Sequence, residues 1–147
     1  MASTKEQYLN KTTFFFHLMN YQADLMLDSK AKADDLLGSC LLLLTERIAN
    51  KHCYRGYPHL DEMIGIALIN SLAALKKFNP ITSENPFGYF TRTIQRSFHR
   101  KIRNEKNFLV KNFKHSLREI EKMELQDPYS NYSPHKKALD EKIQKYS

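Results

Sequence analysis

The chain is predicted to be all-α. Its 147 residues include only four glycines and five prolines, so long stretches lack the turn chemistry that a hairpin-rich β fold needs. Apolar residues recur at three- and four-residue spacing, the period of a helix face. Hydrophobic residues make up 41% and charged residues 27%, which suits a packed core and argues against global disorder. The expected architecture is a compact bundle of about five helices over residues 1–124. A linker and a short flexible C-terminal tail follow, 125–147.

Each element has its own signal. Residues 1–12 are polar and read as loose. A first helix is predicted from Thr13 to Asp28, with Phe14, Phe15, Leu18, Met19, Leu25 and Met26 as its apolar face. The three phenylalanines at 14–16 are read as core, with a partner surface as the alternative. After a break at 29–33, Asp34 and Asp35 suit the positive first turn of a second helix. It carries Leu37, Cys40, Leu41, Leu44 and Ile48 and runs out near Lys51. Arg55-Gly56-Tyr57-Pro58 is turn chemistry. A third helix runs from Leu60 or Asp61 to Phe78, apolar nearly all round; it is expected to be the central buried helix, with Ile64 and Leu68 inside. Asn79-Pro80 stops it. Asn85 then supplies a cap and Pro86 the first helical position of a fourth helix, expected to end near Lys106. A fifth, about 108–124, carries Leu109, Phe113, Leu117 and Ile120. The last residues can form a short helix with Leu139, Ile143 and Tyr146 on one side.

The charge is concentrated. The net charge is +7. Between Arg92 and Lys114 stand eight Lys/Arg and one acid, Glu105, a surplus equal to the net charge of the whole chain. The remaining residues hold fifteen of each sign. A basic segment inside an otherwise neutral protein points to a polyanion, nucleic acid first. A solvated basic face is the plainer reading of the same pattern.

On a wheel of about 100° per residue, Phe87, Phe90, Ile94, Phe98 and Ile102 gather into one core stripe, and Lys101 must snorkel beside them. Arg92, Arg96, His99, Arg100 and Arg103 occupy the other side, and Tyr89 falls among them, away from the other rings. A ring beside guanidinium groups can stack on an unpaired base while the cations hold phosphates. A surface tyrosine lying on an arginine is the alternative. No catalytic constellation or phosphate loop is visible, and no enzyme activity is expected. His52, Cys53 and His59, with Cys40, match no zinc spacing, so no metal and no cofactor are expected. Cys40 reads as core. Two cysteines make no disulfide framework, and no apolar run is long enough to span a membrane; with no signal peptide evident, a cytoplasmic setting is expected.

The order of features resembles the second conserved region of sigma-70 family transcription factors. In ANKHCYRGYPHLDEMI (49–64) a helix ends, an Arg-Gly turn follows and Leu-Asp opens the next helix; ALKKFNP (74–80) is similar to that helix's end. Asn85-Pro86, Tyr89-x-Thr91 and a basic helix through RKIRNEK (100–106) follow in order, most similar to the late-transcription sigma factors of tailed phages. The resemblance covers roughly residues 35–110. It implies a protein of the host cell's cytoplasm that binds the clamp coiled coil in the largest subunit of bacterial RNA polymerase core, and captures the non-template strand of an AT-rich, minus-ten-like promoter element. By this carry-over Tyr89 stacks on the flipped base. Arg96 and His99 contact the upstream base pair. Arg92, Arg100, Arg103 and Lys106 complete the DNA-binding set, and Leu60, Asp61, Glu62, Gly65 and Asn70 the polymerase-binding set. A phage co-activator or a sliding clamp is a further partner that the resemblance allows, although ALDEKIQKYS (138–147) differs from the family's clamp-binding peptide. The main family's two tryptophans are here Arg92 and Thr93, and Ile64-Gly65-Ile66 stands where it carries glutamine and an acid. Two other readings stay open: a small basic helical DNA- or RNA-binding regulator acting without polymerase, and a polymerase-binding modulator.

Overall fold

The computed structural model describes residues 10–51, 53–82 and 85–147. The expectations for residues 1–9 and for His52 lie outside these. Among the described residues the protein is all-helical, with five helices and no strand: α1 (Lys11–Leu27), α2 (Asp35–Ala49), α3 (Leu60–Leu75), α4 (Pro86–Gln126) and α5 (Ser133–Tyr146). The chain forms two compact units, the first ending at His99 and the second spanning Arg100–Ser147. No helix among the described residues is long and apolar enough to cross a membrane.

In the first unit the helix starts follow their side chains. Asn10 Oδ1 accepts from the Thr12 and Thr13 N–H groups at 2.9 and 3.4 Å, which starts α1 two residues earlier than expected. Asp34 Oδ1 accepts from Leu37 N–H at 2.8 Å and caps α2. The Arg-Gly turn is real, with Gly56 at a φ of 97°, a conformation that favours glycine. Asn85 Oδ1 accepts from Gly88 N–H at 3.2 Å, and Pro86 follows that cap as α4 begins. α3 ends three residues before Phe78; there Gln22 of α1 donates its side-chain N–H to the Leu75 carbonyl at 2.7 Å, satisfying an acceptor the helix end leaves open.

The core joins Phe14, Leu18 and Tyr21 of α1 to Leu37, Cys40 and Leu41 of α2, to Ala74 and Leu75 of α3, and to Phe78 and Phe90. Each fully buried Leu or Phe contributes about 1.5–3 kcal/mol of transfer free energy. Phe14 stacks on Phe87 at 5.2 Å and meets Phe90 edge-on at 5.6 Å, so the rings fix the start of α4 against α1. Met63, Ala67 and Ser71 are the inner side of α3, and Asn70 Nδ2 donates to Ser97 Oγ, tying α3 to α4.

Three expectations are corrected here. α3 is not buried all round: Ile69 is 68% exposed, Leu72 is 38% exposed, and Ile64 and Leu68 are half-buried. The side that carries Met63 and Ala67 is buried, and the side that carries Ile69 is open. Phe16 is exposed, on the far side of α1 from Phe14, with its ring edge-on to His17. The helix expected to stop near Lys106 continues to Gln126, because Asn104 to Asn107 contain neither glycine nor proline. In the second unit, the segment expected as a tail forms α5. It folds back on α4, with Lys136 paired to Glu124, Tyr146 against Phe113 at 6.1 Å, and the Lys142 ammonium 5.5 Å from the Phe113 ring. Leu139, Ile143 and Tyr146 are half-buried, as their spacing predicts.

Candidate nucleic-acid interface and partner groove

Tyr89 sits one turn into α4, where the Asn85 cap and the core ring of Phe90 fix its backbone. Its ring is not apart from the others, as the wheel suggested: Phe78 meets it edge-on at 5.1 Å. The wheel missed this because Phe78 comes from the chain after α3. Tyr89 is half-buried against the core and also lines an open concavity of about 710 Å³. Arg92 and Arg96, both exposed, line the same concavity, with Thr82, Asn85 and Thr93 as polar neighbours. Among the described lining residues none is acidic. The arrangement is an anchored aromatic ring with two guanidinium groups beside it, which is what holding a planar base and its phosphates requires.

Two features of this site were not read from the sequence. Gly88 leaves room in its floor: a Cβ there would stand 2.9 Å from Asn85 Nδ2. Ile81 and Thr82, which lie between helices, reach the concavity, and no periodic pattern marks them. Thr93 donates its hydroxyl to the Tyr89 carbonyl at 3.1 Å.

The other expected DNA contacts divide. His99 is exposed, but its Nε2 lies 2.9 Å from the hydroxyl of buried Tyr54, in hydrogen-bond contact. Burial, and then the neighbouring Cys53 and Tyr57, push the Tyr54 phenol up, so it keeps its proton. His99 is thus partly committed inside the first unit. Arg100, Arg103 and Lys106 are exposed on the second unit.

The expected partner residues lie on α3. Asp61, Glu62 and Gly65 are exposed, and a Cβ built on Gly65 meets nothing within 4 Å. Leu60 is half-buried. Asn70 is half-buried, and one N–H of its amide goes to Ser97 Oγ. The structure also shows a groove of about 470 Å³ between α2 and α3, with Leu42, Leu68 and Leu72 on its walls and Asp34 and Asp35 at the start of α2. Ile69, on the open side of α3, and Glu46, one turn after Leu42, are exposed nearby in sequence. Asp34 and Asp35 thus stand beside an apolar strip, Asp34 with its Oδ2 2.9 Å from His17 Nδ1. Among soluble proteins an exposed apolar strip rimmed by charge marks a protein-binding surface.

No protein-family model matches the chain, and no curated protein matches it.

Proposed function

We propose that this protein is a sigma-like initiation factor of the phage late-transcription kind, acting in the cytoplasm of the host cell. It binds bacterial RNA polymerase core through the α2–α3 groove and the exposed side of α3. It captures the non-template strand of an AT-rich, minus-ten-like element at the Tyr89 concavity. The observation that carries the reading is the meeting of Tyr89, Arg92 and Arg96 in one concavity at the start of α4. Tyr89 offers a base its ring, and Arg92 and Arg96 neutralise phosphate. Arg100, Arg103 and Lys106 enter as further phosphate contacts.

Magnitudes divide the labour. Extruding a base costs a few kcal/mol, and one stacking ring returns about 1–3 kcal/mol. Tyr89 therefore holds a base but does not open a bubble, and polymerase supplies the rest. TA steps unstack most readily, which favours an AT-rich target. Free protein should bind duplex DNA weakly.

The acid-flanked groove supports the polymerase half, because a cationic helical partner complements both its charge and its apolar strip. That groove also supports a second reading, a polymerase-binding modulator that opens no promoter. Size-exclusion chromatography with core polymerase, followed by run-off transcription from a TATA-containing template, separates the readings. Co-elution with transcripts supports the initiation factor, and co-elution without them the modulator. Tight nucleic-acid binding with no co-elution indicates a regulator acting alone.

A further inference from the structure

The second unit carries a row of cations on one side of α4. Arg100, Arg103, Lys111, Lys114 and Arg118 are all exposed. At about 100° per residue they fall within an arc of roughly 80°, one stripe along the helix. Among the described residues none of the five has an ion-pair partner.

The acids of this unit do not break the stripe. Glu105, the one acid between Arg100 and Arg118, falls on the opposite side of the helix, 3.4 Å from Lys101. Glu119 pairs with Lys122 at 2.9 Å, and Glu124 with Lys136 of α5. Glu121, one turn past Arg118, ends the stripe. A solvated face that serves only solubility mixes both signs, and this one does not.

The stripe is also uneven. With a rise of about 1.5 Å per residue it spans about 27 Å. Arg100 and Arg103 make one cluster, and Lys111, Lys114 and Arg118 another. The gap from Arg103 to Lys111 is about 12 Å along the axis. Within that gap the residue on the stripe is Asn107, exposed and uncharged, and Lys106 lies about 100° from the stripe's centre. Phosphates of a single strand follow one another without such a gap. B-form DNA instead presents two rows of phosphates, separated by a major groove about 12 Å wide or a minor groove about 6 Å wide. The gap between the clusters matches the wider groove. The major groove of A-form RNA is narrow and does not match it.

We propose that the second unit binds the backbone of duplex DNA: α4 lies across the major groove, with Arg100 and Arg103 on the phosphates of one strand, Lys111, Lys114 and Arg118 on those of the other, and Asn107 over the groove between them. The inference uses only the second unit. It needs neither polymerase nor the Tyr89 concavity, so it stands or falls apart from the function proposed above.

The test is fluorescence anisotropy of the full-length chain with a labelled DNA duplex of arbitrary sequence, with the same sequence as a single strand, and with the matching RNA duplex. The DNA duplex should bind tightest. Replacing Lys111, Lys114 and Arg118 together by Gln should lower duplex affinity by roughly tenfold or more, and should flatten the slope of log affinity against log salt by about 2.7. Glutamine keeps helix propensity, and circular dichroism matching the wild type shows that α4 persists. The same charge removed from α5, as Lys137→Gln, Lys142→Gln and Lys145→Gln together, should change affinity far less. Methyl green, a cation that fills the major groove, should displace the protein, and netropsin, a cation that fills the minor groove, should not. Single-stranded DNA or RNA duplex bound as tightly as duplex DNA, displacement by netropsin, or an α4 triple variant that binds like the wild type or no worse than the α5 variant would each overturn the proposal, as would no binding to duplex at low salt.

Discussion

Tyr89 is where structure and proposed function meet, and its two contacts have to be separated experimentally. Its ring touches Phe78 and also lines the concavity, so Tyr89→Ala removes packing as well as a stacking surface. Tyr89→Phe keeps the ring and should retain strand capture. Tyr89→Ala should lose capture by about 1–3 kcal/mol, read as fluorescence of a 2-aminopurine placed in the promoter, while polymerase binding persists. Equal behaviour of the two variants would remove the ring from the mechanism. Cys40 gives a check on the core. Burial, and then the negative Asp34, raise its thiol from 9.0 to about 11. The folded state holds this proton more tightly than the unfolded one. Its contribution to stability is therefore full below about pH 9 and lost as pH rises toward 11. At neutral pH an alkylating reagent should label exposed Cys53 and spare Cys40 until denaturant is added, as mass spectrometry would report.

At the scale of elements, the start of α4 and the open side of α3 make separate predictions. Gly88→Ala pushes a Cβ against the Asn85 amide that caps the helix; losing that cap should cancel the roughly 1 kcal/mol that alanine gains over glycine in a helix, so the midpoint of thermal unfolding should not rise. A raised midpoint would mean the cap adjusts freely. Ile69→Glu alters a side chain that is 68% exposed, so the domain should stay folded while co-elution with polymerase is lost. Co-elution that survives would move the partner surface off α3. The elements show what periodicity can and cannot read. Asp34 and Asn85 announced helix starts because a cap is local chemistry; Asn10 caps α1 in the same way but was read as part of a loose segment. The open side of α3 was illegible, because a run of Ile, Leu and Ala looks the same whether it faces a neighbour or a partner. The stop expected near Lys106 failed for a related reason: asparagines lower helix propensity without ending a helix. Tyr89 was placed correctly among the arginines and wrongly apart from the rings, since Phe78 reaches it from another segment.

For the whole molecule, charge is the property that should be measurable at a distance. If this chain engages about five phosphates, its own contribution to the fall of log affinity for single-stranded promoter DNA with log salt should be a slope of about −3.5. Arg96→Ala should reduce that slope by about one and relax selection at the upstream edge of the element. A slope near zero would take the basic residues out of the interface. The central claim is joint: one chain holds polymerase with its acid-flanked groove and a displaced strand with its Tyr89 concavity. The most direct test is permanganate footprinting of unpaired thymines on a TATA-containing promoter, with core polymerase, with this protein, and with both. Reactivity around the minus-ten position that needs both components, and that Tyr89→Ala abolishes while co-elution is kept, is the expected result. Opening by either component alone, or no opening by a complex that does form, would contradict the account.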